Sequence, residues 1–181
     1  MRARFLLATG AVCVAGAPVP TPIGFGPRYQ LPAASPRVAS GAPVGRLVCS
    51  REERPRVLAH VELFAQRKAL LLPAGIGMAP PIRLEGADVA GARCSYPART
   101  TGPTGIVESL PSARITLGDV FALWGQPLSA RRLAGFAGRV QAWVGGCRYH
   151  GNVRRIRLRD HAQVVVEIGG YVPPHAAFAF P

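Results

Sequence analysis

Between Cys94 and Gln126 the chain sets a cysteine, a turn, a strand-like run and a capped helix in close succession, and this segment restricts the fold more than any other. Thr116 stands where a helix N-cap belongs, and Asp119 three residues later places negative charge in the first turn. Leu117, Val120, Phe121 and Trp124 then fall on one helical face, and Gly125 with Pro127 ends the run. A helix this short depends on the packing of Phe121 and Trp124 more than on its own propensity.

Elsewhere the hydrophobic period is two. Val57, Ala59, Val61 and Leu63 alternate with Leu58, His60, Glu62 and Phe64, which makes a strand with one apolar and one mixed face. Gln66, Arg67 and Lys68 read as a polar turn into a second apolar run, Ala69 to Leu72, so a hairpin is expected. Pro73 to Pro81, with Gly75, Gly77 and adjacent prolines, reads as loop. Gly105 to Leu110 and Ala113 to Ile115 are short extended segments separated by Pro111, and Gln163 to Ile168 is the strongest strand. Val140 to Val144 and Val153 to Leu158, on either side of Gly145 and Gly146, predict a second hairpin, and Tyr171 to Pro181 reads as an extended tail lying along the domain. The order describes an α+β fold: a small mixed or antiparallel sheet with one short covering helix, β-grasp-like in arrangement.

The N-terminus has the layout of a secretory leader. Met1 to Arg4 carries two positive charges, Phe5 to Ala17 is uncharged and largely apolar, and prolines follow from Pro18. The run is shorter than the ~20 residues that span a bilayer. Ala15, Gly16 and Ala17 form a small-x-small cleavage site with an unfavourable Pro18 behind it, so residues 1–17 are read as leader, cleaved or retained as a tether. Residues 18–45 are rich in Pro, Ala and Gly and read as linker, and residues 46–181 as one domain. The expected location is therefore secreted or extracytoplasmic.

The net charge of +13 invites a nucleic-acid reading. Lys68 is the only lysine among 22 basic residues, which points to a codon bias toward arginine, and no aromatic-interleaved motif accompanies the arginines. Nucleic acid is not an expected partner. The densest group, Arg154, Arg155, Arg157 and Arg159, is a candidate contact for an anionic envelope polymer or lipid surface, weighed against a solvated strand face. With Cys13 assigned to the leader, Cys49, Cys94 and Cys147 remain, and any of three pairings is open in an oxidising compartment. Cys49 with Cys94 is favoured because both lie at element boundaries, which leaves Cys147 as a candidate reactive thiol.

The runs Ala59-His60-Val61-Glu62-Leu63-Phe64 and Pro73-Ala74-Gly75-Ile76-Gly77 are followed by Cys94, by Thr104-Gly105-Ile106-Val107-Glu108-Ser109, and by Thr116-Leu117-Gly118-Asp119-Val120-Phe121 with Trp124-Gly125-Gln126-Pro127-Leu128. Together with Leu158 to His161 and Val164 to Glu167, they resemble a group of uncharacterised exported bacterial domains over roughly Cys49 to Pro181. The resemblance implies the fold and export, and no activity. Members of that group carry alternating histidines in the first strand and a His-Thr-His-Asp motif after the second cysteine. Here His60 alone represents the first motif, and Arg99, Thr100, Thr101 and Gly102 replace the second.

Three functional expectations follow. The leading one is a non-catalytic binding or structural domain at the cell envelope, with no resident cofactor. The second is a divalent metal site: His60 and Glu62 share one side of a strand, His161, Gln163 and Glu167 share a side of another, and converging imidazoles and carboxylates suit zinc or copper. His150 and His175, in turn and tail, are weaker candidates. The third is a cysteine-dependent cell-wall enzyme using Cys147 near His150, although the flanking motif of such enzymes is missing. Asp160-His161 lacks a serine elbow, Glu52-Glu53 is a charge cluster beside Arg51 and Arg54, and Gly24-x-Gly26 precedes no strand-to-helix turn.

Overall fold

A computed structural model describes Cys13, residues 35–52, Arg54 and residues 56–181. The rest of the stretch read as leader, the stretch read as linker up to residue 34, the Gly24-x-Gly26 sequence and Glu53 lie outside the described residues. In chain order, helix α1 (Pro36–Ser40) precedes strands β1 (Val57–Ala65), β2 (Lys68–Leu70), β3 (Met78–Glu85), β4 (Asp88–Ser95), β5 (Ala98–Arg99) and β6 (Ile106–Ser109). Helix α2 (Leu117–Trp124) follows, then β7 (Leu128–Ser129), β8 (Arg132–Leu133), β9 (Phe136–Ala137), β10 (Val140–Val144), β11 (Cys147–Tyr149) and β12 (Ala162–Ile168). This is the expected α+β class.

The main sheet runs β11-β10-β12-β1-β6-β5, with β2 also on β1. First and last strands lie side by side and parallel at its centre, pairing Ala59 with Ala162 through Ala65 with Ile168, which is the β-grasp-like feature of the arrangement. The other edge of β1 is shared. Its first half pairs with β6, from Val57 with Ser109 to His60 with Ile106, and its last three residues pair with β2 across the two-residue turn at Gln66 and Arg67.

Register assigns the two faces. On one, Ala59, Val61, Leu63 and Ala65 join Val164, Val166 and Ile168, all buried, and α2 packs there through Leu117, Val120 and Phe121. Fully burying a side chain such as Phe121 is worth about 1.5–3 kcal/mol in transfer terms. The caps of α2 match its sequence signals. Thr116 accepts from the Asp119 N–H, the Asp119 carboxylate accepts from the Thr116 N–H at 2.9 Å, and Gly125 takes the left-handed conformation (φ 76°) that closes the helix.

Four local expectations change. Residues 35–45, read as linker, are docked: Val38 of α1 is buried, the Arg93 guanidinium donates to Ala39 O, and the Tyr96 hydroxyl donates to Ala42 O at 2.6 Å. The loop expected through Pro81 ends earlier, because β3 starts at Met78 and pairs with β4 as a separate two-stranded sheet whose register slips between Ala79 and Ile82. Prolines have no N–H to give a ladder, and an outlying ribbon with a register break tolerates them. The second hairpin closes at once, Val144 opposite Cys147, so its return strand is β11 and Val153–Arg155 forms a 3-10 helix instead. Residues Leu128 to Ala137, given no structure by sequence, form the small β7-β8-β9 sheet.

Both disulfides lie at edges. Cys49 is bonded to Cys94, beside the bridge between Ser50 and Ser95. Cys147 is bonded to Cys13, which also makes an antiparallel bridge to it on β11, the sheet's outer strand. Cys147 is therefore not the leftover thiol, and Cys13, assigned above to a departing leader, is its partner. An edge strand offers unpaired backbone groups, and Cys13 bridges this one at Cys147. No described helix is long and apolar enough to cross a membrane.

Candidate functional site

The second face of the main sheet carries the chemistry. Register sets His60 against Gln163, Glu62 against Val165, and Glu167 between Phe64 and Gln141. A half-buried polar sheet face would ordinarily meet water. Here residues 169–181 leave the end of β12 and cross it: the Phe178 ring stacks on His60 with centroids 3.8 Å apart and planes 14° apart, and Phe180 meets both Phe178 and His161 edge-on. His60 is fully buried as a result, and Glu62 and Glu167 nearly or fully so.

His60 Nε2 lies 3.1 Å from Thr104 O and Nδ1 lies 2.7 Å from the Gln163 side-chain amide. Burial pushes the ring below its ordinary pKa, against the opposing pull of the Gln163 contact and the Glu62 charge, so the ring is neutral and has one N–H. The atoms facing the two nitrogens, Gln163 Oε1 and Thr104 O, are both acceptors, so the single N–H of the neutral ring donates to one of them and the tautomer decides which. The loop that brings Thr104 in depends on Gly105 (φ 80°): a Cβ there would stand 2.7 Å from Val61 O and 2.9 Å from His60 Nε2.

Glu62 faces the other way along the tail. Its two carboxylate oxygens lie 3.0 and 2.8 Å from His175 Nδ1, which donates to them, while Glu62 Oε1 is 3.9 Å from His60 Nδ1. Beside this pair, in the notch on β1 between the start of β6 and the end of β2, opens a cleft of about 300 Å³. Leu70, Leu71, Leu72, Pro103 and Val172 supply apolar wall, and Glu62 and His175 are its ionisable groups. A cleft of that size, apolar with a few fixed polar groups, is the usual form of a small-molecule site. A carboxylate has about four lone-pair directions and His175 occupies one side, so Glu62 retains acceptor capacity toward the cleft.

The predicted metal set does not assemble. His60 and Glu62 share their face as alternation requires, but His161 sits in the turn before β12 at φ 55°, its side chain 64% exposed and its Nδ1 3.1 Å from Asp160 Oδ2. Both His60 nitrogens are occupied by protein groups, and among the described residues no group of three or more His, Cys, Asp or Glu is arranged to hold a metal ion. Gln163 and Glu167 do share the buried face with His60, though Glu167 is engaged by the Val172 N–H at 3.2 Å. Cys147, held in a disulfide, has no thiolate to act as a nucleophile. Of the arginine run, Arg154 turns back to donate to Leu128 O, and Arg155, Arg157 and Arg159 are exposed.

His175 is the residue that sequence reasoning undervalued. The expectation of a tail lying along the domain was the available signal, since a histidine on such a tail must meet something on the sheet. Comparison with protein-family models, with curated proteins and with solved structures finds no match to this chain.

Proposed function

We propose that the chain is an exported, non-catalytic binding domain of the cell envelope, which takes a ligand with an apolar body and a cationic or hydrogen-bond-donating head in the cleft beside Glu62 and His175. The observation that carries this reading is the coincidence of an aliphatic cleft of about 300 Å³ with a carboxylate that is only 9% exposed, on a chain whose net charge is +13. A buried carboxylate is costly unless paired, and a basic protein has many guanidiniums to spare for it; its partner is instead a tail imidazole whose side chain is 43% exposed. That leaves an anionic anchor within reach of a ligand ammonium or hydroxyl. Among the described residues no hydroxyl or thiol is hydrogen-bonded to Glu62 or His175, so the pair lacks a nucleophile to activate, which favours binding over group transfer. The two disulfides suit an oxidising compartment, in agreement with export.

Titration calorimetry with octylamine and octanoate tests the reading. The amine binds and the carboxylate, facing Glu62, does not. Glu62→Gln weakens the amine about tenfold, the cost of one hydrogen bond to a charged group, and Ala69→Trp, a change at an exposed rim position, blocks it sterically. Equal binding of the two probes, or amine binding indifferent to Glu62→Gln, would sink the proposal.

A further inference from the structure

Residues 114–118 and 155–159 form a short antiparallel contact that belongs to no named strand. Thr116 bridges Arg157, the Leu117 N–H donates to Ile156 O at 2.8 Å, and the Leu158 N–H donates to Ile115 O at 3.0 Å. Its inward residues, Ile115, Leu117, Ile156 and Leu158, are all buried. The same alternation sends Arg157 and Arg159 outward, and the register carries Arg159 to the level of Arg114. All three arginines border one concavity of about 260 Å³, closed on other sides by Val57, Leu110 and Asp160.

Like charges opposed across an antiparallel pair repel, and a fold keeps them together at a cost. The acids nearby do not offset it. Asp160 Oδ1 accepts from the Leu58 N–H at 3.2 Å and its Oδ2 lies 3.1 Å from His161 Nδ1, while Asp119 is held by Arg46 at 2.8 Å and by Thr116. Among the described residues Arg114, Arg157 and Arg159 make no ion pair. Arg114 is also held at φ 49°, ψ 51°, a left-handed conformation that side-chain-bearing residues seldom adopt.

We propose that Arg114, Arg157 and Arg159 form a binding site for a phosphoryl group. Three guanidiniums exceed what one carboxylate would neutralise, and their planar forks match the oxygens of a tetrahedral dianion. The site is independent of the apolar cleft, and it differs from the arginine run visible in sequence. Arg154 donates to Leu128 O, Arg155 does not border the concavity, and Arg114 joins from a distant stretch of chain.

The test uses the full chain at low salt. Binding of inorganic pyrophosphate is measured by calorimetry, and co-sedimentation with phosphatidylcholine vesicles is compared with and without phosphatidylglycerol. Binding in either arm is expected to weaken about tenfold in Arg157→Ala and Arg159→Ala, the loss of one charge-assisted contact. It stays unchanged in Arg139→Ala, which removes the same charge from an exposed position elsewhere. Pyrophosphate alone marks a free phosphate ligand, and phosphatidylglycerol vesicles alone mark a lipid headgroup. Arg114→Gly separates binding from folding: relieving the left-handed backbone, it keeps or raises Tm while lowering affinity. Absence of binding in both arms, or an equal loss in Arg139→Ala, overturns the proposal.

Discussion

Glu167 is enclosed between its sheet neighbours and the tail, with Oε1 accepting from the Val172 N–H and Oε2 without a hydrogen-bond partner among the described residues. Burial, working against that hydrogen bond and the Arg148 charge, raises its pKa from 4.5 to about 6. A raised acid adds stability that is fully present below 4.5, where both states are protonated, and that is lost as pH rises through about 6. A shift of that size corresponds to about 2 kcal/mol. His60 has the opposite sign: its pKa is lowered, so its contribution is present above 6.5 and lost as pH falls. The comparison of Glu167→Gln with the parent chain cancels the His60 part. Urea unfolding should show the variant gaining about 2 kcal/mol on the parent between pH 4.5 and about pH 7.5. A difference that does not change with pH would show that Glu167 is not held as described.

At the scale of elements, α2 and β1 were legible because their signals are local. Thr116, Asp119 and Gly125 are caps within a few residues of the bonds they make, and alternation from Val57 to Phe64 already separated the Ala59 face from the His60 face. What sequence could not supply was partnership at a distance. Nothing in the run from Gln163 to Ile168 states that it lies parallel to β1, and Glu62 meets His175 across 113 residues of chain. The β3–β4 ribbon was obscured by Pro80 and Pro81, whose presence argued for loop. The helix supports a direct prediction. Phe121 is fully buried in the core, so Phe121→Ala should cost about 3–5 kcal/mol by denaturant titration. Thr116→Ala should cost about 1 kcal/mol through loss of the cap. If the two losses were equal, the cap and not the packed face would be holding α2.

Taken as a whole molecule, the chain is built on one main sheet with two unlike faces, an aliphatic one under α2 and a polar one under the C-terminal tail, with one disulfide on its β11 edge and the other on the β3–β4 ribbon. The Cys49–Cys94 bond closes a separation of 45 residues. In the chain-entropy model that constraint is worth about 4 kcal/mol. In the full-length chain, thiol labelling without reductant should modify no cysteine, and removal of residues 1–17 should make Cys147 reactive; labelling of Cys147 in the intact chain would exclude the Cys13 bond. The central claim is that the notch between β2, β6 and the tail receives a ligand, and amide chemical-shift mapping with octylamine tests it most directly. The account predicts shifts concentrated at residues 61–64, 69–72, 103–105, 172 and 175, which line the cleft. Shifts spread over the surface, or centred on the opposite end of the sheet near Trp143, would contradict it.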